Sequence, residues 1–280
     1  MKLLRCGPKG EEKPAILDSE GYIRDLSAHV GDIDGAAISP AALDGIRQLD
    51  PSTLPQIDSA TRIGSCVANP GKFMCIGLNY SDHAAEAGQP IPDHPILFMK
   101  ANSALNGPND DIELPRGSIS TDWEVELAVV IGTAAKYVRR DRALDHVAGY
   151  CVANDVSERR FQTGLSGQWT KGKSCDTFGP IGPWLVTADE IADPQNLDLA
   201  LEVNGKRMQS GNTSKMIFSV AEIIEHLSSL FTLHPGDIIS TGTPPGVGMG
   251  MKPPQYLRAG DMMEVSVSGL GEQRQKVVQG

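Results

Sequence analysis

The chain has 280 residues, 40% of them hydrophobic and 21% charged, with a formal net charge of −10. That length suits one large soluble domain or one domain with a small appendage, and the acidity excludes a nucleic-acid surface or a polybasic membrane patch. No apolar run reaches transmembrane length, the charged and Pro-containing start "MKLLRCGPKGEEKP" is no signal peptide, and five cysteines without a C-x-x-C fit a reducing cytoplasm.

Residues 1–70 read as a smaller separate unit. "KLLRC", "PAILD" and "YIRDLS" are short strands broken by turns. Ser39 and Pro40 offer an N-cap and a first-turn proline for a helix over roughly 40–48. A Pro-, Ser- and Thr-rich stretch then leads to a second unit, residues 71–280. There the strand candidates are "KFMCIGLNY", "PILFMK", "VELAVVIG", "GYCVANDV", "LDLALEVNG", "DIISTGTP" and "MMEVSVSGLG". Two helices interrupt them. "DRALDHVAG" is the shorter. "FSVAEIIEHLSSLF" opens with the capping box Ser219-x-x-Glu222 and sets Val220, Ile223, Ile224, Leu227 and Phe231 on one face. Strands outnumber helices and do not alternate with them, so the fold class is β-rich α+β, a roll or sandwich.

Two motifs are decoys. "GQWTKGKS" (167–174) matches the P-loop letters, yet no buried strand precedes it and "CDTFGPIGPW" cannot continue it as a helix. "GVGMG" (246–250) is followed by "MKPPQY" where a dinucleotide turn requires a helix.

The chemistry gathers elsewhere. In "TDWEVELAVVIG" (121–132) the period of two puts Asp122, Glu124 and Glu126 on one strand face, roughly 6–7 Å apart in succession. Burying them costs several kcal/mol each without a counter-charge. "GYCVANDVSERR" delivers Asp155 to a strand end. Glu124, Glu126 and Asp155 form an all-oxygen set suited to Mg²⁺, Mn²⁺ or Ca²⁺; the competing reading is a solvent-facing acidic strand, and Asp122 is the odd one out. In "GLNYSDHAAEAGQPIPDHP", Ser81 is positioned to cap a short helix that Gly88 ends. His83 and Glu86, three apart, would form either a surface pair or an imidazole oriented as a general base, with the following turn a hinge for a lid. Lys173, in a Gly-rich loop, is either an exposed lysine or the stabiliser of an enolate. Thr241 and Thr243 end a strand where hydroxyls could hold a carboxylate.

Together "GLNYSDHAAE", "FMK", "DWEVELAVVIG", "ANDVSERRFQ", "KGKSCDTFGPIGPW" and "STGTPPGVG", in this order over roughly 70–270, resemble the fumarylacetoacetate hydrolase family. The start also resembles bacterial members named 2,4-diketo-3-deoxy-L-fuconate (or rhamnonate) hydrolases or ureidoglycolate lyases. The resemblance implies a mixed β-sandwich roll with a small N-terminal α/β domain, a homodimer, and a Mg²⁺ or Mn²⁺ site. It places the metal ligands on Glu124, Glu126 and Asp155, the water-activating histidine on His83 and its partner on Glu86. The active-site lysine falls on Lys173, and substrate contacts fall on Gln162 and Thr243. One departure is Ile76, where the animal enzyme has a further aspartate ligand, so three protein ligands are expected. The implied reaction is hydrolysis of a C–C bond in a 2,4-diketo acid to pyruvate and a second acid such as lactate. Alternatives are oxaloacetate decarboxylation, ureidoglycolate cleavage, or a non-catalytic metabolite-binding protein.

Overall fold

The computed structural model describes residues 1–280. Its largest unit is a ten-stranded mixed sheet. In spatial order the path runs Ile23–Asp25, Lys13–Leu17, Lys2–Cys6, Gly179–Thr187, Val147–Asn154, Val125–Ile131, Ile238–Ser240, Phe73–Gly77 and Ile96–Lys100, with Leu105–Asn106 beside Gly179–Thr187. A five-stranded sheet (Lys206–Asn212, Asp198–Val203, Met262–Val267, Gly271–Gln279, Ile112–Leu114) packs over it. Most pairs are antiparallel, but Ile238–Ser240 runs parallel to Phe73–Gly77.

The central strand Val125–Ile131 is buried on both faces, and its alternation divides the core. Trp123, Val125, Leu127, Val129 and Ile131 face the space between the sheets, with Leu199, Leu201, Met263 and Val265. Ala128 and Val130 face the other way, onto Phe73, Cys75 and Ile238. Glu124 and Glu126 share the parity of Ala128, so the strand's acidic face continues an apolar one and is taken out of water.

Five helices complete the chain: α1 (Pro40–Arg47), α2 (Ser81–Glu86), α3 (Arg159–Gly164), α4 (Thr170–Lys173) and α5 (Val220–Leu230). Helix α5 carries the expected capping box and buries Val220, Ile223, Ile224 and Leu227. Phe231, the extended C-cap, is only half-buried but still packs against this core. "DRALDHVAG" forms a 3₁₀ segment, Arg140–His146, because the chain turns at once into the strand Val147–Asn154. The first 70 residues add three strands to the edge of the large sheet, through the antiparallel pairing of Lys2 and Leu3 with Val186 and Leu185. Arg62 fastens this part further, between Glu12 at 2.8 Å and Asp110 at 2.6 Å.

Candidate active site

Strand pairing brings the carboxylates together. Ala153 lies opposite Glu126 and Asn154 opposite Val125, so the next residue, Asp155, falls beside Glu124 and its N–H donates to the Glu124 carbonyl at 2.9 Å. Ligand oxygens of Glu124, Glu126 and Asp155 lie within 4.8 Å of one another, and all three residues are buried. Buried hard-oxygen donors this close fit a divalent cation and exclude the solvent-facing strand.

The counter-charge the sequence demanded comes from three cations. Lys173 Nζ donates to Glu124 Oε2 at 2.6 Å and to Asp155 Oδ2 at 2.7 Å. Arg159 Nη2 is 2.7 Å from Glu124 Oε1. Lys100, with no exposed side-chain surface, pairs with Asp155 Oδ1 at 2.7 Å and donates to the carbonyls of Val156 and Lys173. Burial opposes ionisation of Glu124, but Lys173 and then Arg159 outweigh it and hold its carboxyl down to about 2. Glu126 has no cation against it. Burial, then Asp155 and Glu124, push its carboxyl well above the ordinary range, although Ser240 Oγ (2.6 Å) and the Gly242 N–H (2.8 Å) both donate to it. Lys173 is itself held charged: burial lowers its pKa, but Asp155 and Glu124 raise it more.

The pairing of His83 with Glu86 is present, with His83 Nδ1 3.0 Å from Glu86 Oε2. His83 is buried rather than surface-lying. Helix α2 starts one residue earlier than expected: Tyr80 is its N-cap, and the Ser81 hydroxyl turns away to the Lys215 carbonyl. Gly88, at φ +62°, ends the helix as a left-handed residue should. Lys173 ends the one-turn helix α4 instead of lying in a loop.

One cavity of about 660 Å³ collects these groups. His83, Glu86, Glu124, Glu126, Lys173, Gln162 and Thr243 all line it, while Asp155 sits behind Lys173. Gln162 accepts from Arg159 Nη1 at 3.1 Å. Thr243 Oγ1 donates to the Val125 carbonyl and accepts from Gln209. Thr241 is withdrawn: fully buried, its hydroxyl is spent on the Leu127 carbonyl, so it holds no carboxylate. Ile76 contributes an apolar wall, leaving three acidic residues in the cluster. Phe98 lies under Lys173 Nζ, 5.0 Å from the ring centroid, with Trp169 edge-on to Phe98 at 5.4 Å. Gly77 leaves room for that indole, since a Cβ there would overlap the ring.

Lys100, Arg159 and Asp122 escaped the sequence reading as site residues. Lys100 had one legible signal, a lysine closing the otherwise apolar run "PILFMK". Arg159 lay within "NDVSERR" with nothing to distinguish it from Arg160.

Comparison with known proteins bears on the same residues. The family description "Fumarylacetoacetate (FAA) hydrolase C-terminal" matches residues 72–278. A Burkholderia multivorans protein named only "Putative hydrolase" is 62% identical over 276 residues, 98% of each chain. The solved fumarylacetoacetate hydrolase of Exiguobacterium antarcticum superposes with TM-score 0.86 at 34% identity, covering 100% of both chains. Maleylpyruvate hydrolase of Sphingobium sp. SYK-6, solved with manganese(II) and pyruvate, gives 0.84 at 30% identity over 100% of both. No helix of the chain is long and apolar enough to cross a membrane.

Proposed function

The chain belongs to the fumarylacetoacetate hydrolase family of enzymes, and from that premise we propose that it hydrolyses a C–C bond in a 2,4-diketo acid with the help of Mg²⁺ or Mn²⁺. The observation that carries the proposal is a buried carboxylate triad sharing one cavity with a histidine–glutamate pair. Manganese(II) and pyruvate in the Sphingobium relative support the same cofactor class and product.

Glu124, Glu126 and Asp155 would hold the cation, which when bound supplies a Lewis acid for the substrate's carboxylate and 2-oxo oxygens. His83, oriented by Glu86, takes a proton from water, and the hydroxide adds to the C4 carbonyl carbon. The C3–C4 bond then breaks, its electron pair passing to C3 as the enolate of pyruvate while C4 leaves as a carboxylic acid. The charged ammonium of Lys173 hydrogen-bonds to the developing oxyanion, and the proton that His83 took from water passes to C3 to complete pyruvate. Phe98 and Trp169 exclude bulk water from one wall. For a 2,4-diketo-3-deoxy-L-fuconate-type substrate the second acid is lactate. The protein acts as a homodimer in this proposal, which light scattering checks directly.

The test is incubation with Mn²⁺ or Mg²⁺ and a panel of 2,4-diketo acids, with oxaloacetate and ureidoglycolate as further arms, followed by quantification of pyruvate and the second acid. Equimolar pyruvate and carboxylic acid, lost on chelation, is the expected result. Release of CO₂ from oxaloacetate without diketo-acid turnover would reassign the enzyme as a decarboxylase.

A further inference from the structure

We propose that Asp122 is a positioning residue that couples the metal-binding carboxylates to the His83–Glu86 pair through the turn at 246–249. The inference rests on the catalytic roles proposed above. Asp122 has no exposed surface and no place in that chemistry, yet its carboxylate is saturated. Oδ1 accepts from the N–H groups of Trp123 at 2.8 Å and Gly248 at 2.7 Å. Oδ2 accepts from the Met249 N–H at 3.0 Å and from Arg159 Nε at 2.8 Å.

Each side of that carboxylate leads to a different half of the site. The guanidinium that Asp122 holds is the one whose Nη2 lies 2.7 Å from Glu124. The turn that it caps presents the Gly246 N–H to Glu86, 3.0 Å from Oε1 and 3.2 Å from Oε2, and Glu86 in turn holds His83. Trp123 clamps the same turn from its other end, its indole N–H donating to the Gly246 carbonyl at 3.1 Å. Two adjacent residues just ahead of the central strand thus grip the turn at both ends.

The turn transmits position because it has little freedom to adjust. Gly246 sits at φ +103°, and a Cβ there would overlap the Met208 carbonyl. A Cβ on Gly250 would strike the Glu86 carboxyl carbon at 2.9 Å, so the carboxylate lies directly against this backbone. A shift of Asp122 therefore moves the turn, the turn moves Glu86, and Glu86 turns the imidazole. Misplacement of a catalytic group by about 1 Å can cost 10²-fold in rate.

Two variants and two readouts test the coupling. Asp122→Asn keeps the shape but exchanges one acceptor for a donor facing Met249 and Arg159. Met249→Pro instead removes a single N–H donor to Oδ2 and leaves Asp122 in place, serving if Asp122→Asn fails to fold. In both, hydrogen exchange should quicken on the order of tenfold at 246–250 and at 83–87, with distant strands unchanged. In turnover, kcat should fall about 10–100-fold with KM changed much less. Combining Met249→Pro with Glu86→Gln should cost no more than Glu86→Gln alone, because both act on one imidazole, whereas Asp122→Asn also frees the Arg159 guanidinium beside Glu124. Unchanged exchange at 83–87, or additive losses in the Met249→Pro, Glu86→Gln double variant, would overturn the coupling. Absence of wild-type turnover on every diketo acid would instead sink the functional reading, and the exchange data would still decide the coupling.

Discussion

Replacing Glu124 with glutamine in the metal-free protein sets two opposed forces against each other. Three carboxylates within 4.8 Å repel, so losing one charge should stabilise the fold if repulsion dominates. The geometry points the other way: Glu124 is ion-paired with Lys173 at 2.6 Å and with Arg159 at 2.7 Å. Burial penalises the charged form, yet these cations bring its carboxyl from 4.5 down to about 2, equivalent to about 3 kcal/mol in favour of the ionised group in the folded state. Glu124→Gln should therefore destabilise the chelator-treated protein by about 3 kcal/mol at pH 7, or roughly 6 °C in Tm for a chain of this size. Because the folded-state pKa is depressed, this contribution is fully present above 4.5 and is lost as pH falls through about 2. The gap between wild type and variant should accordingly shrink across that acid window. Adding Lys173→Met should recover much of the loss, since Arg159 keeps Asp122 and Asp155 keeps Lys100. Urea unfolding of the single and double variants at several pH values measures all of this. A metal-free Glu124→Gln protein as stable as wild type, or more so, would refute the pairing argument and leave repulsion as the stronger force.

His83→Ala should lower kcat by about 10²–10⁴ while binding of oxalate, a mimic of the pyruvate enolate, stays nearly unchanged by calorimetry; loss of oxalate binding with kcat preserved reverses the assignment. Helix α2 has only six residues and depends on packing for order, so exchange at 81–88 should slow when Mn²⁺ and oxalate are added, and equal strong protection in both states would show a preformed site. Away from the site, burial raises the Glu12 carboxyl's pKa but Arg62 and Arg5 outweigh it, giving a net lowering from 4.5. Stability from this group is present above 4.5 and lost as pH falls, so Glu12→Gln should destabilise at pH 7 and converge with wild type in acid; a pH-independent difference in urea midpoint counts against the ion pair.

The sequence by itself determined what depends on near neighbours. A period of two announced the alternating faces of 125–131, although the chain breaks that strand at 123–124 and pairs Thr121–Asp122 separately with Ser157–Glu158; a spacing of three paired His83 with Glu86, and Ser219-x-x-Glu222 fixed the start of α5. The rejection of the P-loop was equally local, and the segment before 167–174 is indeed helix α3 rather than a buried strand. The tertiary structure alone decided which charges meet. Lys100 and Asp155 are separated by 55 positions and Asp122 and Gly248 by 126, and no periodic pattern links groups so distant in the chain. The same holds for the first three strands, whose alternation shows that they are strands but not that Lys2–Cys6 pairs with Gly179–Thr187. Local patterns record which face a side chain presents. Which partner waits on that face is set by how the strands are ordered in the sheet, and only there does Asp122, the odd one out among the acidic residues of the sequence, become the residue joining both halves of the site.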